Sequence, residues 1–285
     1  IRDRLLAWRT SDGAGPASLA AGPLSVVDLA TGTEHMVVPD DVISAGWAPN
    51  GLDFAYILGT PETYELHWLA YPGEDKLLAV DVPHSLRVSP DGRHVAFTRE
   101  SHYGLNSAVP GLYVVEIETG KETQLSTMDR AGYGGLYPFW KPLWSPDSSQ
   151  VLLYTAADSD RAAVPHPSGY VWASVDGSFS HFLPDSEFLA YFDQPLSAPE
   201  NRPCLGGPPL FSADQLVFRV GECRPMSIEL ETAMIINFAL DEETGAITVQ
   251  QALSEPATIE LLAWDVPGES VLLYQDGAVT KLFLQ

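Results

Sequence analysis

Val88-Ser-Pro-Asp-Gly-Arg-His-Val-Ala-Phe97 reads as an apolar anchor, a tight turn and then an apolar strand. Ser89 can hydrogen-bond the backbone ahead of it, Pro90 presets φ at the second turn position, and Gly92 accepts a left-handed conformation. The phrase recurs at Trp47-Ala-Pro-Asn-Gly-Leu-Asp-Phe-Ala-Tyr56 and at Trp144-Ser-Pro-Asp-Ser-Ser-Gln-Val-Leu-Leu-Tyr154. Trp264-Asp-Val-Pro-Gly-Glu-Ser-Val-Leu-Leu-Tyr274 is a looser copy, and Phe211-Ser-Ala-Asp-Gln-Leu-Val-Phe218 a shortened one. Self-similarity on this scale marks a repeat architecture. The strands after the turns are apolar nearly throughout, as in Val151-Leu-Leu-Tyr154. A strand with one wet face would alternate; continuous apolarity predicts cover on both faces.

A second signal follows each anchor. Leu112-Tyr-Val-Val-Glu-Ile-Glu-Thr-Gly-Lys-Glu-Thr-Gln-Leu125 is a strand, a Glu-Thr-Gly turn and another strand. Ser25 to Val37 and Ile235 to Val249 repeat it. Each unit therefore holds four antiparallel strands, A to D from the axis outward, which is one propeller blade. The predicted fold is all-β, a single β-propeller domain over residues 1–285 with six blades as the natural total. The expected blades span about 1–40, 42–82, 84–128, 137–184, 207–254 and 257–285. The first lacks its inner strand and the last its outer one.

Ser89-Pro-Asp-Gly92, followed by a basic residue, a polar residue and an apolar-aromatic strand, resembles the PD40 motif of TolB-like (WD40-like) propellers. The likeness runs over almost the whole chain. It implies the propeller fold; the matching residues are turn and core positions, so it implies no particular activity.

Composition narrows the partners. The 38 acidic and 15 basic residues leave a net charge of −23, which repels nucleic acid and anionic lipid headgroups. The same acidity also serves solubility. No apolar run is long enough to cross a bilayer, so direct membrane insertion is not expected. The chain opens at Ile1 with neither a methionine nor a signal-peptide pattern, the expectation being a processed form or a fragment.

Blade topology places the A–B and C–D turns on one face and the B–C and D–A connections on the other. The former are tight here. The latter hold the long segments: Ser11–Gly22, Ser101–Gly111, Asp129–Lys141, Ala156–Gly169, Pro184–Gly207 and Glu222–Glu231. Long loops on a rigid scaffold are where binding usually resides. If Ser212 and Gln215 flank the fifth A–B turn, facing residues sum to 427, as do Cys204 and Cys223. This predicts a disulfide between directly opposed residues and, with it, an oxidising, extracytoplasmic compartment.

The long connections carry the candidate binding residues. Tyr133, Tyr137, Phe139 and Trp140 precede the anchor Trp144, and Phe188 and Tyr191 occupy the next D–A segment. Aromatics at a channel mouth can grip a peptide or stack on sugars, or can form a local core beneath the loops. His102 and His166, with Asp158, Asp160 or Asp193, could share a pocket, or lie exposed. Arg130, Arg161, Arg202 and Arg224 could bind a ligand carboxylate or pair with neighbouring acids. No nucleophile elbow, phosphate loop, zinc-ligand spacing or calcium loop occurs, so no catalytic residue, metal or cofactor is assigned.

The reading is a non-enzymatic extracytoplasmic module that holds a protein or peptide partner on its long-loop face. One alternative is a glycan-binding, hydrolase- or lyase-type propeller with its site at the channel mouth. The other is an accessory subunit of a larger cell-surface assembly.

Overall fold

A computed structural model describes residues 4–8, 22–60, 63–82, 85–99, 111–126, 141–155, 168–190, 202–206, 208–223, 230–252, 259–266, 270–275 and 278–283. The first sheet holds β1 (Arg4–Trp8), β2 (Gly22–Asp28), β3 (Glu34–Trp47), β4 (Phe54–Thr60), β5 (Thr63–Leu69) and β6 (Asp75–Val80). The second holds β7 (Leu86–Val88), β8 (His94–Arg99), β9 (Gly111–Glu116) and β10 (Glu122–Ser126). The third holds β11 (Leu143–Trp144), β12 (Gln150–Thr155), β13 (Gly169–Ser174) and β14 (Ser180–Pro184), after which comes the short helix α1 (Asp185–Leu189). The fourth holds β15 (Arg202–Leu205), β16 (Leu210–Phe211), β17 (Gln215–Cys223), β18 (Leu230–Leu240) and β19 (Ile247–Ala252). The fifth holds β20 (Ile259–Val266), β21 (Ser270–Gln275) and β22 (Ala278–Phe283).

The repeated turns are wired alike. The Ser89 hydroxyl donates to Asp91 and accepts the His94 N–H at 3.0 Å, while Gly92 takes φ 73°. Ser145 does the same with Asp147 and with the Gln150 N–H, also at 3.0 Å. Where the second copy replaces glycine, Ser148 takes φ 64°, and its hydroxyl accepts the Asp91 N–H of the previous turn. The left-handed serine thus supplies an inter-sheet bond that glycine could not.

Both faces of β4, β8, β12 and β17 are covered. Val95 and Phe97 pack with Ala55, Ile57 and Leu66 of the first sheet, while Ala96 packs with Trp144 and Val151 of the third. Leu152 faces Phe218 and Phe238 in the fourth, and Val217 faces Val271 and Leu273 in the fifth. Each such side chain contributes about 1.5–3 kcal/mol by leaving water. Sheets stacked face to face, with their inner strands β3, β7, β11 and β16 around one cavity, make a propeller.

Two features differ from expectation. The strands of the first two repeats share one six-stranded sheet, because β3 is continuous. Its Val42 pairs with Gly22 on one side and Leu58 on the other, so that D–A connection needs no loop. The register beside the cysteines also slips. Leu210↔Val217 and Phe211↔Leu216 sum to 427, but Arg202↔Cys223 and Cys204↔Gly221 sum to 425. Pro208 and Pro209 lie between the two segments and have no N–H for the ladder. Cys204 and Cys223 are consequently diagonal rather than opposed. They remain on one face of the sheet, with Cα atoms 6.0 Å apart, and form the disulfide.

Candidate functional site

The tight turns of successive sheets interlock at one end of the propeller. Lys76 Nζ donates to the Ile117 and Glu118 carbonyls of the next sheet, each at 2.7 Å. Gln150 bridges the Trp172 indole, at 2.8 Å, and the Glu242 carboxylate, while His181 Nε2 donates to the Glu242 carbonyl at 2.7 Å. A groove of about 600 Å³ runs over this end, with Glu116, Asp176 and Glu242 along it beside His94 and Lys121. Its acids outnumber its cations, and Glu242 is already engaged.

The residues flanking the long connections lie at the other end. Arg99 pairs with Gly111, Thr155 with Gly169, Gly169 with Pro184, and Cys223 with both Arg202 and Leu230. Gly111 and Gly169 open strand C in their units, and only a missing side chain lets them fit. A Cβ on Gly169 would stand 2.4 Å from the Leu183 carbonyl, and one on Gly111 1.9 Å from that of Ser126.

Between the two ends runs the central cavity, of about 660 Å³. Its walls are apolar, with Trp47, Leu86, Val88, Leu143, Trp144 and Phe211 prominent, and prolines from three turns close toward the interlocked end. Among the described residues that line it, only Arg87 and Lys141 are charged. Lys141 directly follows the 127–140 connection and marks the long-connection end. Both side chains are exposed, and the apolar walls beside them withdraw part of their hydration. Burial lowers the Lys141 ammonium below the usual lysine range, and the neighbouring Arg87 charge lowers it further. Burial likewise lowers Arg87. Among the described residues no carboxylate pairs with either.

Two other clusters have structural explanations. Tyr56 donates to Asp75 at 2.8 Å and stacks on His67, whose ring nitrogens meet Asp75 and Glu65 at 3.2 and 3.1 Å. Burial, reinforced by Asp75, drives the Tyr56 hydroxyl far above its usual range, so it ties strands together rather than accepting protons. Phe188 of α1 is completely buried against Tyr170, Phe218 and Phe238, which makes it core and not a ligand contact. Among the described residues no group of three or more His, Cys, Asp or Glu could hold a metal.

Tyr133, Tyr137, Phe139, Trp140, His102, His166, Arg130, Asp158, Asp160, Arg161, Tyr191, Asp193 and Arg224 lie outside the described residues. Arg202 opens β15, and its backbone pairs with Cys223. Arg87 and Lys141 are absent from the sequence-derived candidates. A usable signal was present: scarce cations stand just ahead of two successive inner-strand anchors, Val88 and Trp144.

No protein-family model and no curated protein sequence matches the chain. Among solved structures it is similar to TolB from Acinetobacter baumannii, at 15% identity and TM-score 0.47 over 99% of this chain and 64% of that one. It is similar to the tricorn protease at 13% identity and TM-score 0.47, over 93% of this chain and 27% of that one. It also resembles the β-propeller domain of the Trilobed protease from Pyrococcus furiosus, at 9% identity and TM-score 0.46, over 98% and 94%. The chain thus spans less than two thirds of the first two. These likenesses concern fold alone.

Proposed function

We propose that this chain is a non-enzymatic binding propeller, outside the cytoplasm, that holds a protein or peptide partner at the end where its long connections depart. One observation carries the reading: tight turns occupy one end and hydrogen-bond to each other, whereas the strand residues that flank the long connections lie at the opposite end, with the cationic end of the cavity. Loops not needed for closure are free to evolve contacts. The Cys204–Cys223 disulfide supports an oxidising compartment, where such bonds persist.

Peptides selected from a displayed random library against the whole chain test this. Their binding is expected to fall with Trp140→Ala or Asp158→Ala and to survive Arg93→Ala and Lys121→Ala at the tight turns. Binders that map to Arg93 and Lys121 would overturn it. So would a library yielding none above a scrambled-sequence control.

A further inference from the structure

We infer that Arg87 and Lys141 form a receptor for the C-terminal carboxylate of a peptide whose last residues are apolar. This rests on the peptide-binding reading and names what the peptide presents.

The charge pattern points first. A chain with 38 acidic residues has abundant material for neutralising 15 basic ones. Yet the central cavity gathers two cations, one on β7 and one just ahead of β11, and among the described residues no acid lines it. Two like charges held side by side repel each other, most strongly at low salt. An anion seated between them relieves the repulsion and gains charge-assisted hydrogen bonds, with the guanidinium able to bind a carboxylate in bidentate fashion.

The remaining features decide which anion. A net charge of −23 disfavours polyanions such as nucleic acid or polyphosphate, so the ligand carries few negative charges. Trp47, Leu143, Trp144 and Phe211 favour an apolar body behind the charge. A cavity of about 660 Å³ is of small-ligand size. It has room for a chain end, whereas an acidic side chain within a peptide would have to bring two strands into the same space.

Three probes test the assignment: acetyl-Gly-Ser-Phe-Leu as the free acid, the same peptide as the carboxamide, and acetyl-Gly-Glu-Phe-Leu-amide. Titration calorimetry, together with tryptophan fluorescence (Trp47 and Trp144 line the cavity), reads binding to the whole chain at low salt. The free acid is expected to bind about tenfold or more tighter than the carboxamide. Arg87→Gln and Lys141→Gln should each remove most of that difference and the double variant all of it. Equal affinities for acid and carboxamide would overturn the inference and leave the peptide-binding reading intact. A difference that persists in the double variant would also overturn it. The internal-glutamate peptide binding as tightly as the free acid would sink the chain-terminus assignment. Failure of all three probes to bind would count against both. Should a variant not fold, the acid–carboxamide comparison on the unaltered chain still decides.

Discussion

The indole N–H of Trp144 donates to the backbone carbonyl of Arg87 at 3.0 Å, tying the inner strand of the third sheet to that of the second. An anchor that reads from sequence as packing thus also sets the spacing of the strands that present the two channel cations.

Trp144→Phe keeps an aromatic body and removes the donor. The lost bond costs about 1 kcal/mol, and the smaller ring adds a cavity cost of similar size. Urea denaturation should register the sum as a lower midpoint at unchanged slope. An unaltered midpoint would show that water replaces the bond without penalty.

Arg99 is only 8% exposed and lies over Phe97 and Tyr113, with its guanidinium 5.1 and 4.5 Å from the ring centres. It donates to both oxygens of Glu122, at 2.6 and 3.2 Å, and to the Val80 carbonyl of the preceding sheet. Arg99→Met should cost about 3 kcal/mol, since Glu122 and the carbonyl lose their partner. Glu122→Gln should cost only about 1 kcal/mol, because that carboxylate is a third exposed. The double variant is expected to lose less than the sum, by a double-mutant cycle in urea.

Asp185, at the first turn of α1, accepts a bond from the Tyr154 hydroxyl at 2.9 Å, and its other oxygen is buried without a partner among the described residues. Burial raises its pKa to about 6 from 3.8. Between those values the folded state keeps a proton that the unfolded state releases, so stability falls as pH rises from about 4 to about 6 and stays lower above. The shift caps the effect at about 3 kcal/mol, and partial exposure of the side chain reduces it to about 1–2 kcal/mol. Asp185→Asn should therefore gain that amount at pH 7.5 and almost nothing at pH 4, read from urea midpoints at both. An equal gain at the two pH values would exclude ionisation as the cause.

The Cys204–Cys223 bond closes a loop with a sequence separation of 19 and fastens β15 to β17. Its removal as Cys204→Ser/Cys223→Ser should cost about 3 kcal/mol. Comparing oxidised, reduced and double-serine protein by denaturation checks this. Coincident transitions for all three would show that the bond adds no stability.

Much of the fold was legible because its rules are local. The Ser89-Pro-Asp-Gly92 turn and its relative at Ser145 carry their own hydrogen-bonding groups, and Val151-Leu-Leu shows by composition that both faces need cover. The disulfide pairing was legible too, but its register was not, since Pro208 and Pro209 interrupt the ladder and shift the pairing by two residues. Phe188 looked like a loop aromatic because nothing in its neighbourhood announces a one-turn helix that buries this one side chain.

From the order of residues alone came the repeated four-stranded unit, the cover on both strand faces, the acidic surface and the sorting of short turns from long connections. Those are properties of a segment or of a total. The continuity of β3, the diagonal seating of the cysteines and the meeting of Arg87 with Lys141 belong to the assembled molecule. Arg87 and Lys141 are 54 positions apart. Only the stacking of sheets around a shared axis turns that separation into proximity, and only then does an apolar channel acquire a cationic end.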